Sequence, residues 1–202
     1  MNVPTAPLCL LFLYLLLTGS QVHAQTRYLI DSSQGTELQL RGTSTLHDWQ
    51  MVATTVTGAV EFAFTPDGTG DLSALESMAF SLKVQDLCSG NRGLDKNAHR
   101  ALNAEAHSSI TYVLASSTLS RVQDGYRLQT RGRLTIAGTA RDIKMEVRLV
   151  VGDNGTITSR GTHELKMTDY GVTPPSFMLG AMKTGDDMTL EFTVVFKKSP
   201  GA

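Results

Sequence analysis

YRLQTRGRLTIAGTARDIKMEVRLVV, residues 126–151, is the stretch whose pattern decides the fold. Tyr126, Leu128, Leu134 and Ile136 are apolar at even positions, while Arg127, Gln129, Arg131 and Arg133 are polar at odd ones. After Ala137-Gly138-Thr139-Ala140 the parity switches. Ile143, Met145, Val147, Leu149 and Val151 then form the apolar row against Lys144, Glu146 and Arg148. A side-chain period of two marks a strand with one buried and one wet face. Two such runs around a short Gly-containing turn make an antiparallel hairpin. A hairpin alone is marginal in water, so its apolar face has to meet a larger sheet.

The chain supplies that sheet on both sides. Tyr28 to Asp31 and Thr36 to Arg41 read as short strands, the second with Leu38 and Leu40 on one face. Met51 to Phe64 reads as a longer one, with Val52, Val56, Val60, Phe62 and Phe64 on one parity. Gly58 shares that row, where a glycine marks a bend or bulge. Met78, Phe80, Leu82 and Val84 alternate with Ala79, Ser81, Lys83 and Gln85; Ile110, Tyr112 and Leu114 resume the pattern. Asp153-Asn154-Gly155 is a turn signal leading into Ile157 to Met167, where His163, Leu165 and Met167 share a parity with Ser159 and Gly161. Met188, Leu190, Phe192, Val194 and Phe196 form the last inward row. The one helix expected is Gly93 to His107, from the helical spacing of Leu94, Ala98, Ala101 and Leu102. Antiparallel strands with one apolar face satisfy their edges best by closing. The fold expected is all-β with one short helix, an antiparallel barrel of about eight strands; an open sandwich is the other arrangement.

The 202 residues fit one domain. A formal charge of −1 leaves no basic excess for nucleic acid. Near the N-terminus, the apolar run Leu8 to Leu17 precedes Thr18-Gly19-Ser20 and Val22-His23-Ala24-Gln25. The run falls short of the roughly 20 residues of a spanning helix and reads as a secretory signal cut after Ala24. Residues 1–24 would then be the signal and 25–202 the mature, periplasmic or secreted domain. Cys9 leaves with the signal. Cys88, alone in the mature chain, has no disulfide partner there and is expected as a buried small apolar residue.

An ordered set of segments resembles the YceI-like family, the lipocalin-like polyisoprenoid-binding domains of exported bacterial proteins. The segments are Tyr28-Leu29-Ile30-Asp31, Ser44-Thr45-Leu46-His47-Asp48-Trp49 ahead of the Gly58 strand, and Leu94-Asp95 with Ala101-Leu102. They continue through Ile110-Thr111-Tyr112 and Gly132-Arg133-Leu134-Thr135-Ile136-Ala137-Gly138-Thr139 to Pro174-Pro175, Gly180 and Lys183-Thr184-Gly185-Asp186. The helix entry, Cys88 to Asp95, departs from the Thr-x-x-x-x-Arg-Asp type of many relatives. The resemblance implies a barrel whose lumen takes a long isoprenoid or a related amphiphilic lipid, a quinone included.

Such a chain is held by apolar area removed from water, at roughly 25 cal/mol per Å². The inward rows give the lining expected: Val60, Phe62, Phe80, Leu82, Leu134, Ile136, Met145, Val147, Leu149, Phe192 and Val194. Met167, Met178 and Met182 join them as adaptable apolar side chains. The same rows would equally pack as a dry core. His163 is the polar member of its row, either a hydrogen-bonded structural residue or a head-group contact. Trp49 reads as a packing plug at a barrel end. His47 and Asp48 are adjacent on an extended segment and point to opposite faces, so they form no dyad. Asp95, His99 and His107 offer helical spacing for a metal but no further ligand, and no metal or cofactor is assigned. No nucleophile elbow, zinc-protease or phosphate-loop motif is present, and no catalytic residue is assigned. The reading is a non-catalytic exported lipid carrier with at most transient membrane contact. An enzyme using the same pocket, with His163 paired to a partner, or a protein-binding scaffold with a dry barrel, are the alternatives.

Overall fold

The computed structural model describes residues 25–177 and 182–200. The expected signal segment and Met178 lie outside the described residues. Eleven strands and one α-helix follow in the order β1 (Gln25–Ile30), β2 (Glu37–Ser44), β3 (Trp49–Ala53), β4 (Val56–Phe64), β5 (Leu72–Lys83), α1 (Arg92–Ala101), β6 (Ser109–Val122), β7 (Gly125–Ile136), β8 (Thr139–Val151), β9 (Ile157–Lys166), β10 (Ser176–Phe177) and β11 (Met182–Lys198). Every ladder is antiparallel. Eight strands close a ring in the order β1-β4-β5-β6-β7-β8-β9-β11 and back to β1. β2 and β3 extend the sheet outward from β11.

The closure depends on β11. One edge pairs with β9 from Asp187 to Phe196. The other edge is shared, with β2 from Thr184 to Thr193 and β1 from Phe196 to Lys198. The β1–β2 connection is tied down where one partner gives way to the other. The buried Thr36 hydroxyl donates to the Asp31 carbonyl (2.6 Å) and accepts from the Val195 amide (3.0 Å). Asp31 itself takes the Lys197 ammonium and the Ser33 hydroxyl and amide, which hold its carboxyl down to about 2.

The closed end is filled by aromatics. Phe62 meets Tyr28 and Phe196 edge to face, with ring centroids 5.6 and 6.0 Å apart. Nearby, Tyr126 donates to Asp71 (2.9 Å) and accepts from the Leu72 amide (3.0 Å). At the opposite end sits the β7–β8 turn, in which Ala137 and Gly138 both have positive φ (47° and 78°). That is the two-residue turn whose twist matches a hairpin. α1 is capped at its start by Asn91, whose side chain accepts from the amides of Gly93 and Leu94.

Several expectations need correction. Met51 to Phe64 is two strands, because the chain turns out of the ladder at Thr54 and Thr55 and the parity resets. Met51 and Ala53 are therefore buried in β3, and Val52 is not. Gly58 marks no bulge. It sits where a Cβ would come within 2.4 Å of the Ala79 carbonyl oxygen, so it permits a close approach of two backbones. The register shifts lie further along, where β5 carries Ser73 and Glu76 as extra residues; they hide the strand's first half from a period-two reading. The helix ends at Ala101 rather than His107, because Asn103 takes a left-handed conformation (φ 51°) that cannot propagate it. Cys88 is exposed, not buried: its backbone bridges to Val52 and the inward position falls to Leu87.

Thr36→Val keeps the shape of the seam but strands the Val195 amide. A loss of about 1–3 kcal/mol is expected, read as a lower denaturation midpoint at unchanged slope. The depressed Asp31 carboxyl contributes stability above the unfolded carboxylate value of about 4, lost as pH falls through the folded one. Asp31→Asn should be less stable than the parent at neutral pH and should lose less of its remaining stability on acidification, measured by urea melts from pH 7 downward.

Candidate functional site

The inward rows enclose free space in two adjacent compartments. The upper one lies beneath α1 and has a cavity volume of about 150 Å³. Its walls are Trp49 and Met51 from β3, Leu82, Ile110 and Ile136 from the barrel, Leu94, Ala98, Ala101 and Leu102 from α1, and Met167, Tyr170, Val172 and Pro175 from the segment after β9. The lower one reaches the closed end and has a volume of about 90 Å³. Leu38, Phe80, Leu134 and Leu190 line both and form a waist between them.

The lining is set from several elements. α1 and its C-cap residue present Leu94, Ala98 and Leu102 along one side, the i, i+4, i+8 spacing that puts three side chains on one face. Its entry is fixed by Asp95, which accepts from the Ser89 amide and hydroxyl (both 2.6 Å). His99 Nε2 sits 2.9 Å from the Leu87 carbonyl. Asp95 and His99 are thus spent on the helix's own anchoring, and no cluster of three or more His, Cys, Asp or Glu converges among the described residues. His107 packs its ring against Gly138 instead. On the far wall, β11 departs from the β2 register between Thr184 and Met188, and Asp186 accepts from the Thr168 amide (2.9 Å) and hydroxyl (2.7 Å). That contact holds the short 3-10 turn Thr168–Tyr170, which carries Met167, Tyr170 and Val172 into the upper compartment.

Of the expected lining residues, Val60, Phe62, Met145, Val147, Leu149, His163, Phe192 and Val194 line the lower compartment. Leu82, Ile136 and Met167 line the upper, and Phe80 and Leu134 line both. Met182 pairs with Phe177 in the β10–β11 hairpin and lines neither. Trp49 is in the wall of the upper compartment, its ring over Gly42 and its indole N–H donating to the Thr43 carbonyl (3.0 Å). The helix face, Tyr170, Val172 and the polar residues Tyr112, Thr130 and Ser159 were not in the expected set. Thr130 and Ser159 sit on the inward parity of their strands, so the alternation itself carried that signal.

The electrostatics are simple. No Lys, Arg, Asp or Glu lines either compartment among the described residues. Burial pushes the His163 imidazole below its ordinary value, against a weaker opposite pull from Glu164. His163 makes no hydrogen bond among the described residues, so the partner that the enzyme alternative asks of it is not found there. His47 is exposed and contributes only its carbonyl, which accepts from Ser44. None of the described helices is long and apolar enough to cross a membrane.

Comparison with known proteins agrees with this architecture. Burkholderia cenocepacia BcnA superposes with a TM-score of 0.63 at 14% identity, covering 82% of this chain and 98% of that one. A polyisoprenoid binding domain from Saccharophagus degradans, implicated in plant cell wall breakdown, gives 0.63 at 10% identity over 85% and 98%. The Campylobacter jejuni YCEI protein gives 0.54 at 16% identity over 72% and 81%. No curated protein sequence matches. At these identities the structures speak for the fold alone, but the family model of the YceI-like domain matches the sequence directly over residues 28–196. The chain therefore belongs to the YceI-like domain family.

Proposed function

We propose that this protein binds a polyisoprenoid or a similar long amphiphilic lipid in the barrel lumen and carries it without turning it over. The observation that carries the reading is the apolar space inside the barrel: two adjacent compartments sharing Leu38, Phe80, Leu134 and Leu190, with no charged side chain in either wall among the described residues. Apolar cavities of about 150 Å³ stay dry and take up apolar solutes. A linear chain threading both compartments removes its apolar area from water along its length. The similarity to a polyisoprenoid binding domain supports the same class of cargo. Entry belongs to the α1 end, since the other is filled by Tyr28, Phe62 and Phe196.

Native mass spectrometry of protein purified from its own host should show an adduct that denaturing extraction releases as a prenyl-type lipid. A clean apo mass that gains nothing from added isoprenoid quinones would remove the reading. The waist gives a second test. Leu190→Phe narrows the passage, so chains long enough to fill both compartments should lose about tenfold or more in affinity, whereas ten-carbon chains that fit beneath α1 are unaffected. Unchanged binding of the long chains would restrict the site to the upper compartment.

A further inference from the structure

The segment between β5 and β6 leaves the barrel and returns to it at one place. Lys83 pairs with Ser109, and the Val84 amide donates to the Ser108 carbonyl (3.0 Å), so the two ends of residues 85–107 are pinned side by side. Between those ends the segment is bonded mainly to itself. Asp95 ties to Ser89 and His99 to the Leu87 carbonyl, across the turn that leads into α1. Past the helix, the amides of Ala106 and His107 both donate to the Asn103 carbonyl (3.0 and 2.8 Å). Beyond the root, its hydrogen bonds to the rest of the chain reduce, among the described residues, to one antiparallel bridge. There the Val52 amide donates to the Cys88 carbonyl (2.7 Å) and the Cys88 amide to the Val52 carbonyl (2.9 Å). No ion pair joins the segment to the barrel among the described residues. Packing holds it lightly as well. Leu87 is buried and His107 lies against Gly138, but none of the ten residues of α1 is buried, because Leu94, Ala98 and Ala101 face the upper compartment rather than a packed core.

We infer that residues 85–107 form a flap that swings as one unit about the Val84–Ser108 root, with the Val52–Cys88 bridge as its latch, and that lipid enters and leaves the lumen when the flap opens. The inference rests on the lumen-binding reading and adds the gate to it. α1 lies across the end by which cargo enters. Freeing it breaks two backbone hydrogen bonds and lifts Leu87 out of the wall, while the β5–β6 ladder stays intact. Segments held by so few contacts open locally at less cost than the barrel unfolds. The latch engages the outer edge of β3, whose other edge pairs with β2, so release leaves that sheet whole as well. A lipid beneath α1 adds contacts to Leu94, Ala98 and Leu102 that the empty protein lacks, and it therefore favours the closed flap. Loading closes the gate behind the cargo.

The latch can be locked with the chain's own thiol. Val52, which is not buried, and the exposed Cys88 lie directly opposite one another. A hydrogen-bonded antiparallel pair has its Cα atoms about 5.5 Å apart, within the range that a disulfide spans. Val52→Cys should therefore oxidise to a disulfide with Cys88, and Val52→Cys combined with Cys88→Ser is the unlocked control. The probe is farnesol carrying an anthraniloyl ester, followed by energy transfer from Trp49, the only tryptophan and part of the upper wall. In the oxidised variant both association and dissociation should slow by about tenfold or more, and reductant should restore them. Affinity should stay within about twofold, since locking removes only the open state. In the parent, hydrogen exchange read by mass spectrometry should show Val52, Cys88 and α1 exchanging as one set, at least about tenfold faster than the β7–β8 hairpin and more slowly once the probe is bound. Unchanged rates in a protein whose disulfide is verified by mass, failure of that disulfide to form, or α1 exchanging no faster than β7–β8 overturns the gate and leaves the carrier intact. Absence of probe binding to the parent overturns the carrier reading, and the gate with it.

Discussion

The shape of this barrel follows from one edge of β11 that no single strand covers. At 17 residues β11 outruns both of its partners on that side, so its hydrogen bonds pass from β2 to β1 along its length. The changeover is held by the Thr36 hydroxyl, which stands in for a backbone partner to both Asp31 and Val195. Below the seam β1 also pairs with β4 and the ring is complete. Above it β2 leads only to β3, whose outer edge finds a single bridge, Val52 to Cys88. Backbone groups and apolar side chains in the upper half therefore need another cover. The loop from Val84 to Asn91 and the apolar face of α1 provide it. The lower half is a closed barrel and the upper half a pocket roofed by a helix, and both come from the same division of one edge.

Whether such a barrel is hollow depends on how its inward side chains fold over one another. Three aromatic rings lie over glycines on neighbouring strands: Trp49 over Gly42, Tyr112 over Gly132 and Phe192 over Gly161. Each ring packs flat against the wall rather than pointing to the axis, which leaves space in the middle. A Cβ at any of these glycines would fall within about 2.6 Å of ring atoms and push the ring inward. Methionines in the walls, among them Met51, Met145 and Met167, add side chains that reshape at little cost. The lumen is a consequence of glycine placement as much as of apolar composition.

Much of this was legible in the sequence, and the limits have physical causes. The β7–β8 hairpin and the inward row of β11 follow from a period of two that nothing interrupts. β5 lost its first half because Ser73 and Glu76 break that period, and Val52 was put on the wrong face because a two-residue break resets it. Thirteen of the fifteen residues expected in the lining do line one compartment or the other, with Met182 elsewhere and Met178 outside the described residues. Parity reports that a side chain points inward. It does not report what crosses over the top, and so α1, Tyr170 and Val172 stayed unseen as walls. Nor does it distinguish Thr130 and Ser159 from apolar neighbours unless polar residues in an apolar row are read as deliberately placed.

The distribution of polarity also constrains how selection can operate in this lumen. Transfer of hydrocarbon is non-directional and grows with area, so it favours length without fixing position. Hydrogen bonds contribute less, but they are directional and costly to leave unmade, so they fix position and discriminate chemistry. Side chains able to hydrogen-bond line both compartments, Asn97, Tyr170 and Thr184 above and Tyr112, Thr130, Ser159 and His163 below, so neither end alone sets a register. Toward α1, Met167, Leu94 and Leu102 present adaptable or aliphatic surfaces that accommodate differences in shape. A lumen with walls of this kind discriminates by apolar length and shape more than by the chemistry of a terminal group. An arrangement with hydrogen-bonding groups at one end alone would instead fix the position of an occupant and discriminate its terminal group.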